Sequence, residues 1–269
     1  MKRSLITLTS DFGTSDYYVA AMKAVILSIN EMVDFVDITH DVQPQDILGG
    51  AWILKNAAYL FPPESIHLAV IDPGVGTERR PILVRHRNHY FIGPDNGLFS
   101  LVTDNDEVEV IELTQKRFWR INTPSKTFHG RDVFAPVAAH LAKGIPIDEL
   151  GTNISTMEVY RWAIPTNDKE AIQGWVLHID RFGNLITNIP EKLIQSLGNN
   201  EKLRIYVGNH VLKGLVSTYG SVEPGEAVAL IGSAGTLEIS INKGNAADML
   251  GVIQGSPVSV LIDRSVKPQ

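Results

Sequence analysis

An aspartate and an arginine stand seven residues apart in the stretch IDPGVGTERR, directly after the apolar run IHLAVI. A turn accounts for Asp72, Pro73 and Gly74, because an aspartate side chain caps a turn, proline fixes φ and glycine permits a positive φ. A turn does not account for Gly76, or for Arg79 following so closely on a second tight bend. Asp72 and Arg79 are therefore an unexplained pair that could do chemistry.

Other polar side chains stand where predicted strands end. Asp11 lies ahead of a Phe-Gly pair and, unlike Asp16, is not needed as a helix cap, so its carboxylate can bind both hydroxyls of a ribose. His40 and Asp41 can form half of a metal site, but no further histidine follows at ligand spacing and a turn is favoured. His129 precedes a predicted helix, where spacing alone favours a satisfied loop histidine.

The C-terminal third offers weaker candidates, each of which is interpreted first as a turn. Asp180, Phe182 and Asn184 lie in IDRFGNLITN, between two predicted strands. An asparagine such as Asn184 can also recognise the edge of a purine, although a turn asparagine is commoner. Ser233 lies in GSAGTLEI, which is interpreted as a hairpin turn in preference to a binding loop. The sequence contains no P-loop, GxGxxG or GxSxG motif.

Alternating strands and helices position the N-terminal candidates. SLITLTS, VDFVDIT and IHLAVI are typical of strands, and DYYVAAMKAVILSIN, DILGGAWILKNAAYLF and RDVFAPVAAHLAKG are typical of helices. PILVRHRNHYFIG has a polar Arg-Asn break that suits a hairpin. This alternation predicts a mainly parallel sheet with helices on both faces. Ligands bind outside the carboxyl ends of such strands, which is where these candidates collect.

The pattern changes in the polar segment around residues 164–169. Beyond it, KLRIYV, AVALIG, TLEISIN and PVSVLI are typical of short strands, and only EKLIQSLG and NAADML look helical. In TLEISIN the apolar residues share one face and Glu238 points the other way. The fold class predicted is α/β, with a mainly parallel α/β sandwich domain over residues 1–165 and a smaller β-barrel domain over residues 170–269.

Composition restricts the class of protein. The chain has 269 residues, 44% of them hydrophobic, and a formal net charge of −6, so it lacks the electrostatic footprint of a nucleic-acid binder. The absence of cysteine excludes disulfides, thiolate catalysis and cysteine-bound zinc. The first apolar stretch is too short for a signal peptide, and no apolar run approaches the roughly 18 residues that span a bilayer. These features predict a soluble cytoplasmic protein.

Seven stretches, taken in order, resemble the S-adenosyl-L-methionine (SAM) hydrolases, also called SAM hydroxide adenosyltransferases, which are relatives of the fluorinase and chlorinase. They run through both predicted domains and are TSDFGTSDYYVAAMK, ITHDVQPQDI, IDPGVGTERRPI, GPDNGL, TFHGRDVFAPVAAHLA, IDRFGNLITNI and LEISINKGNAAD. The resemblance implies hydrolysis of SAM to adenosine and L-methionine by attack at the ribose C5′, without a cofactor or metal. It also implies homotrimers that bind SAM between the N-terminal domain of one subunit and the C-terminal domain of the next.

The resemblance further implies which residues carry the site. Asp72, Arg79 and His129 match the catalytic triad of the hydrolases, and Gly74 and Gly76 would fold the loop so that Asp72 and Arg79 face a pocket beside His129. The resemblance implies that Asp11 contacts the ribose, and that Asp180 and Ser233 contact the methionine amino and carboxylate groups. It implies that Asn184 and the backbone around Ala246 contact adenine. Phe182 and Asn245 lie in the same motifs and are included among the substrate-binding residues. Which triad member takes the proton of the water stays open.

Departures from the halogenases favour water as the nucleophile. Gly130 replaces the serine of the halide site, Asp72 replaces a tyrosine and Gln45 replaces a tryptophan. An apolar halide pocket has thus become a charged one, which argues against fluoride or chloride. Ala234 replaces the arginine that follows the carboxylate-binding serine in fluorinase, so how the methionine carboxylate is held stays open.

Two other classes of function remain as alternatives. One is a metal-dependent phosphohydrolase, whose candidate ligands are Asp11, His40, Asp41, Asp72 and His129. The other is a sensor that binds SAM or adenosine without turnover. A requirement for a divalent cation would indicate the first, and bound SAM that stays intact would indicate the second.

Overall fold

The computed structural model of the protein describes residues 3–103, 106–160, 164–168, 170–198 and 202–263. The chain divides into an N-terminal unit, Met1–Tyr160, and a C-terminal unit, Arg161–Gln269. Each unit has its own buried apolar core. No helix within the described ranges is long and apolar enough to cross a membrane.

Within the described residues, the strands of the N-terminal unit form one mixed sheet in the order β2-β1-β3-β5-β4-β6-β7. The strands are β1 (Ser4–Ser10), β2 (Val33–Thr39), β3 (Ile66–Val70), β4 (Pro81–His86), β5 (His89–Pro94), β6 (Glu109–Glu112) and β7 (Thr152–Ile154). Strands β2, β1, β3 and β5 pair in parallel, and β4, β6 and β7 extend the sheet antiparallel. The α/β class is confirmed, and its parallel half comprises the first three strands together with β5.

The predicted hairpin explains where the parallel pairing stops. Arg87 and Asn88 join β4 to β5 with φ values of 47° and 60°, as a two-residue type I′ turn requires. Such a short turn brings the two strands together only in antiparallel pairing, whereas a parallel neighbour needs a crossover. The Arg-Asn break in the sequence is therefore a confirmed hairpin turn.

Helices cover both faces of this sheet. They are α1 (Tyr18–Ile29), α2 (Ile47–Ala57), α3 (Ser100–Thr103) and α4 (Ala135–Ala142), and a π-helical turn over Gly130–Phe134 leads into α4. Met22 and Ile26 of α1 pack with α4 in one apolar cluster against the sheet. Leu54 of α2 and Val102 of α3 belong to a second cluster, which includes Phe91 of the sheet. The predicted three-layer arrangement is thus observed.

The C-terminal unit is an antiparallel, barrel-like sheet around a single core. Its strands follow the path β12-β11-β15-β9-β10-β14-β13, with β8 beside β9. They are β8 (Thr166–Asn167), β9 (Ala171–Ile179), β10 (Leu185–Pro190), β11 (Leu203–Val207), β12 (His210–Lys213), β13 (Ala227–Ile231), β14 (Thr236–Ile241) and β15 (Pro257–Ile262). After β12, the N–H of Val216 donates to the carbonyl of Ala229 in β13, which nearly closes the path. The two predicted helices are confirmed as α5 (Glu191–Leu197) and α6 (Ala246–Leu250).

Candidate active site

Asp72 and Arg79 form a buried ion pair just beyond the carboxyl end of β3. Arg79 Nε donates to Asp72 Oδ1 at 2.9 Å and to Oδ2 at 3.0 Å, and Nη2 donates to Oδ2 as well. Only 5% of the Asp72 side chain and 8% of the Arg79 side chain are exposed. A buried ion pair is weak evidence for stability, because desolvation offsets most of the attraction between the charges. Its position outside the carboxyl end of a parallel strand, where ligands bind in such sheets, therefore favours a functional role.

Gly76 brings the loop of this ion pair against the segment that leads to His129. Its φ is 77°, and a Cβ at this position would lie 2.2 Å from the carbonyl oxygen of Lys126. A side chain there would both strain the backbone and push the two segments apart. Gly74 has no such requirement, since its Cβ would make an ordinary 3.4 Å contact with Arg79 Cγ. Of the two glycines expected to shape the loop, Gly76 is the one that the packing requires.

We expect Gly76→Ala to lower the SAM hydrolysis that the resemblance implies more than about tenfold. It should also destabilise the protein by about 1–3 kcal/mol, since it opposes both the positive φ and the close approach. Gly74→Ala is the matched control, with turnover and stability expected near wild type. Turnover assays and urea unfolding of both variants test this. Equal effects of the two substitutions would contradict the role given to Gly76.

His129 completes the group, and its contact with Arg79 defines its tautomer. Arg79 Nη2 lies 2.9 Å from His129 Nδ1. A guanidinium only donates, so Nδ1 must accept and the proton of the neutral imidazole lies on Nε2. Burial, followed by the positive charge of Arg79, lowers the pKa of His129 below its usual value of 6.5. The imidazole is therefore neutral at pH 7. The structure thus brings together Asp72, Arg79 and His129, as the resemblance implies.

A buried donor of this group remains unused. Arg79 Nη1 is buried and donates to no acceptor among the described residues. The guanidinium also lies over the ring of Phe134, with its central carbon 5.2 Å from the ring centroid. Buried polar groups are almost always hydrogen-bonded, so an unpaired N–H beside Asp72 and His129 indicates a place for a small hydrogen-bond acceptor.

Asp11 lies at the neighbouring strand end. Ser10 of β1 pairs with Val70 of β3, so Asp11 and Asp72 follow adjacent parallel strands. Asp11 Oδ2 accepts the backbone N–H of Gln45 at 2.8 Å. The structure therefore places Asp11 and Asp72 at the same edge of the sheet, where the carboxyl ends of parallel strands bind ligands.

His40 and Asp41 do not act as a pair. His40 Nδ1 lies 2.7 Å from Ser10 Oγ, whereas Asp41 is exposed and its backbone N–H bonds Thr39 Oγ1 at 3.0 Å. Across the described ranges, no three histidine, aspartate or glutamate side chains group as metal ligands would. The five candidate ligands of the phosphohydrolase alternative therefore do not gather into one site.

The turn that follows β9 is organised by Asp180. Its Oδ1 accepts the backbone N–H groups of Phe182 and Asn184, both at 2.9 Å, and its Oδ2 accepts the Asn184 amide at 2.8 Å. The turn interpretation of these residues is thus observed. Phe182 is 76% exposed at the tip of this turn, so its ring is available to a ligand or a neighbouring molecule.

Asn245 and Ala246 lie against this same turn. Gly183 has a φ of 83°, and a Cβ there would lie 2.0 Å from Asn245 Oδ1. The Ala247 N–H donates to the Gly183 carbonyl at 3.0 Å, and the Asn245 side chain caps α6 by accepting from the Asp248 N–H at 3.0 Å. The Asn245 side chain is therefore occupied as a helix cap, and Ala246 is fully buried.

The loop between β13 and β14 carries Ser233, which is exposed. Sequence reasoning missed the buried acid beside this loop, Glu238, which is 5% exposed. Its Oε1 accepts hydrogen bonds from the Tyr219 hydroxyl at 2.7 Å and from Ser240 Oγ at 2.9 Å. The bond to Glu238, followed by burial, raises the pKa of Tyr219 to about 12. Strand alternation correctly turned Glu238 away from the core, but it carries no signal of burial on the opposite face.

An α/β unit in which a buried Asp-Arg ion pair beyond a strand end contacts a histidine, followed by an antiparallel barrel-like unit, defines the class of protein. Residues 6–151 match the family model of the SAM hydroxide adenosyltransferase N-terminal domain, and residues 174–259 match that of the C-terminal domain. The chain belongs to the SAM hydroxide adenosyltransferase family. The resemblance seen in the sequence is confirmed.

Individual relatives agree with this assignment. The chain is 39% identical to a protein of Thermus thermophilus and 38% identical to one of Methanocaldococcus jannaschii, both named (R)-S-adenosyl-L-methionine hydrolase. These matches cover 94% and 92% of this chain, and 97% and 92% of the relatives. A fluorinase of an Actinoplanes species is 28% identical, over 95% of this chain and 97% of its own. The crystal structure of an uncharacterised conserved protein from Thermotoga maritima superposes with a TM-score of 0.88 at 37% identity, covering 95% of this chain and 99% of that one.

Proposed function

We propose that the protein is an enzyme that hydrolyses SAM to adenosine and L-methionine by attack of water or hydroxide on the ribose C5′. The observation that carries this proposal is the contact of the buried Asp72-Arg79 ion pair with His129, together with the unpaired Nη1 donor of Arg79. The hydrolase names of relatives that are 36–39% identical over nearly the whole chain support it.

The reaction requires little of the protein. The sulfonium leaves as the neutral thioether of methionine, so its departure needs no general acid. As the C5′–O bond forms, the C5′–S bond breaks and its electron pair stays on sulfur. The water gives up one proton, and the products are adenosine and methionine. The site must therefore supply one water, aligned with the breaking bond and partly deprotonated.

The hydrogen bonds give each triad member a different role in this proposal. Arg79 Nη1 holds the attacking oxygen, because it is a buried donor without a partner among the described residues. His129 Nδ1 is already occupied by Arg79, so His129 orients the water by donating from Nε2. A carboxylate has about four acceptor positions, and Asp72 retains free ones after binding Arg79. Asp72 is therefore the group that accepts the proton of the water.

Hydrolysis in oxygen-18 water containing EDTA tests this function. We expect adenosine labelled at its 5′ oxygen, together with an equal amount of methionine, and an unchanged rate with EDTA because the proposal requires neither cofactor nor metal. Since the relatives are named for the R epimer, each sulfonium epimer is assayed separately. Both epimers would give the same products, so their relative rates, and not the identity of the products, measure any preference between them.

Two results would replace this proposal by another. Loss of activity in EDTA that is restored by a divalent cation would indicate a metal-dependent hydrolase. SAM that stays intact while bound would indicate a sensor.

The remaining parts of the proposal concern assembly and substrate contacts. We propose a homotrimer with SAM bound at subunit interfaces, with Asp11 contacting the ribose. Asp180 and Ser233 contact the methionine moiety, and the turn around Asn184 with the backbone of Ala246 contacts adenine. The resemblance of these motifs supports this arrangement. The cytoplasmic location stays a prediction from the sequence.

A further inference from the structure

Next to Asp11 begins a series of linked polar side chains that the proposed mechanism does not use. Ser10 is fully buried at the end of β1, and His40 is 5% exposed just after β2. Ser10 Oγ lies 2.7 Å from His40 Nδ1, and His40 Nε2 lies 3.2 Å from Asp37 Oδ1. Asp37 Oδ2 in turn accepts from Lys23 Nζ at 2.6 Å. This series of side chains therefore extends from Ser10, the residue next to Asp11, to the Asp37-Lys23 ion pair at the surface.

The chemistry of these groups determines which atom donates and which accepts in each contact. His40 Nε2 faces the carboxylate of Asp37 at ion-pair distance without the alignment of a good hydrogen bond, so this contact is mainly electrostatic. A carboxylate on that side favours the imidazole proton on Nε2. His40 Nδ1 then accepts from the hydroxyl of Ser10. The Ser10 oxygen in turn accepts the backbone N–H of Phe12 at 3.4 Å.

Backbone contacts hold the same loop from its other side. The carbonyl of His40 accepts the N–H of Gly13 at 2.8 Å, and the carbonyl of Ser10 accepts the N–H of Val42 at 3.4 Å. Gln45, whose N–H binds the Asp11 carboxylate, has a φ of 68°. A positive φ in a residue other than glycine persists only where the surroundings hold it. Asp11 is thus fixed between the loops that follow β1 and β2.

Serine, histidine and aspartate are also the residue types of a hydrolytic triad. Ser10 is fully buried, however, so its hydroxyl is closed to a substrate. Its contacts lead to the Asp11 loop and to His40. The burial and the contacts therefore fit a role in positioning.

We propose that Ser10 and His40 are positioning residues that hold Asp11 in the orientation needed to bind the ribose hydroxyls of the substrate. The inference rests on the proposed function, which assigns the ribose contact to Asp11. Hydrogen bonds to a charged group are strong only when their geometry is maintained, and supporting residues maintain that geometry. Without this support, Asp11 would bind the ribose hydroxyls less well.

The test compares the dissociation constants of adenosine and 2′,3′-dideoxyadenosine, measured by calorimetry. Ser10→Ala and His40→Gln are expected to weaken adenosine binding about tenfold, the loss of a charge-assisted hydrogen bond, and to leave dideoxyadenosine within about twofold. His40→Asn is expected to retain most of the affinity, because its amide oxygen can replace Nδ1 as the acceptor for Ser10. Asp41→Asn, an exposed neighbour, is the matched control and is expected to bind both nucleosides as wild type does.

A double variant sharpens the comparison. Asp11→Asn is expected to weaken adenosine binding selectively, and adding His40→Gln is expected to cause no further loss, because both substitutions remove the same interaction. Equal weakening of both nucleosides by His40→Gln would show a merely structural role and overturn the inference. Wild-type affinity for adenosine in Ser10→Ala and His40→Gln would overturn it as well.

Different experimental results would overturn the proposed function and this inference. A wild-type protein that binds adenosine but does not hydrolyse SAM would overturn the proposed function, and the nucleoside comparison would still decide the role of Ser10 and His40. A wild-type protein that does not distinguish the two nucleosides would contradict the ribose contact of Asp11, and the inference with it.

Discussion

Asp72→Asn is expected to lower the rate of SAM hydrolysis about 10³-fold while adenosine affinity stays within about threefold of wild type. Asparagine has nearly the shape of aspartate, but it cannot accept the proton of the water and carries no charge to balance Arg79. Steady-state kinetics and calorimetry with adenosine measure the two effects separately. Removing one partner of a buried ion pair also costs about 3–5 kcal/mol of stability, so thermal unfolding of the variant is measured alongside.

Glu78→Gln is the matched control for this substitution. Glu78 lies in the same loop, one residue before Arg79, but its side chain is exposed. Its loss of charge is therefore expected to leave turnover within about twofold of wild type, as for most surface substitutions. A comparable loss in Glu78→Gln would mean that the overall charge of the loop matters, and not the position of the Asp72 carboxylate.

Arg79→Ala and His129→Ala extend the same prediction. Each is expected to reduce hydrolysis strongly with adenosine binding mostly intact, because Arg79 holds the oxygen and His129 orients it. Combining Asp72→Asn with His129→Ala is expected to cost little more than Asp72→Asn alone, since residues that act as a unit are not additive. Near wild-type turnover in all three single variants would refute the triad assignment.

The second large effect concerns stability in acid and originates inside the sheet, on the strand that leads to Asp72. His67, in β3, is fully buried. Its Nδ1 contacts Thr7 Oγ1 at 2.7 Å, its Nε2 contacts His89 Nδ1 at 3.0 Å, and its ring stacks on Phe91. Burial, followed by the nearby His89, lowers the pKa of His67 from 6.5 to about 3. The folded protein therefore keeps this imidazole neutral over the whole range in which the unfolded chain protonates it.

This difference makes the free energy of unfolding depend on pH. Below pH 6.5 the unfolded chain binds one more proton at this histidine than the folded protein does, until the pH falls to about 3. The stabilisation is complete above pH 6.5 and is lost as the pH falls, by about 1.4 kcal/mol per pH unit. His67 alone should then remove about 2 kcal/mol between pH 7 and pH 5.

Urea unfolding at pH 7 and pH 5, at one fixed protein concentration, measures this loss. His67→Gln retains hydrogen-bonding groups but cannot titrate. Because it cannot titrate, its free energy of unfolding should fall by about 2 kcal/mol less than that of wild type between the two pH values. Because the replaced side chain is fully buried, the variant should nevertheless be less stable than wild type at pH 7. His210→Gln, on the exposed strand β12, is the control and should follow wild type. An equal loss in wild type and His67→Gln would show that His67 does not titrate as described.

Local sequence patterns predicted most of the elements of both units. Apolar residues at helical spacing identified α1 and α2, and alternation identified β14, because these patterns depend on which face of a single element is buried. The Arg-Asn break identified the hairpin between β4 and β5 for an equally local reason. The four residues of β6 and the three of β7 were missed, since so few residues contain no readable period.

The sequence by itself also determined which residues could form the site. Asp11 and Asp72 stand just past strand ends, and the ordered motifs identified the family. These signals are local, or they depend on the order of motifs along the chain, and neither needs a knowledge of packing.

Only the tertiary structure decided how these residues are connected. The sequence pairs His40 with its neighbour Asp41, whereas folding pairs it with Ser10 and Asp37. The tautomer of His129 follows from Arg79, which lies fifty residues earlier in the chain. The need for glycine at position 76 follows from the carbonyl of Lys126. Such contacts join distant segments, and they depend on strand register and loop packing, which the periodicity of a single element does not encode.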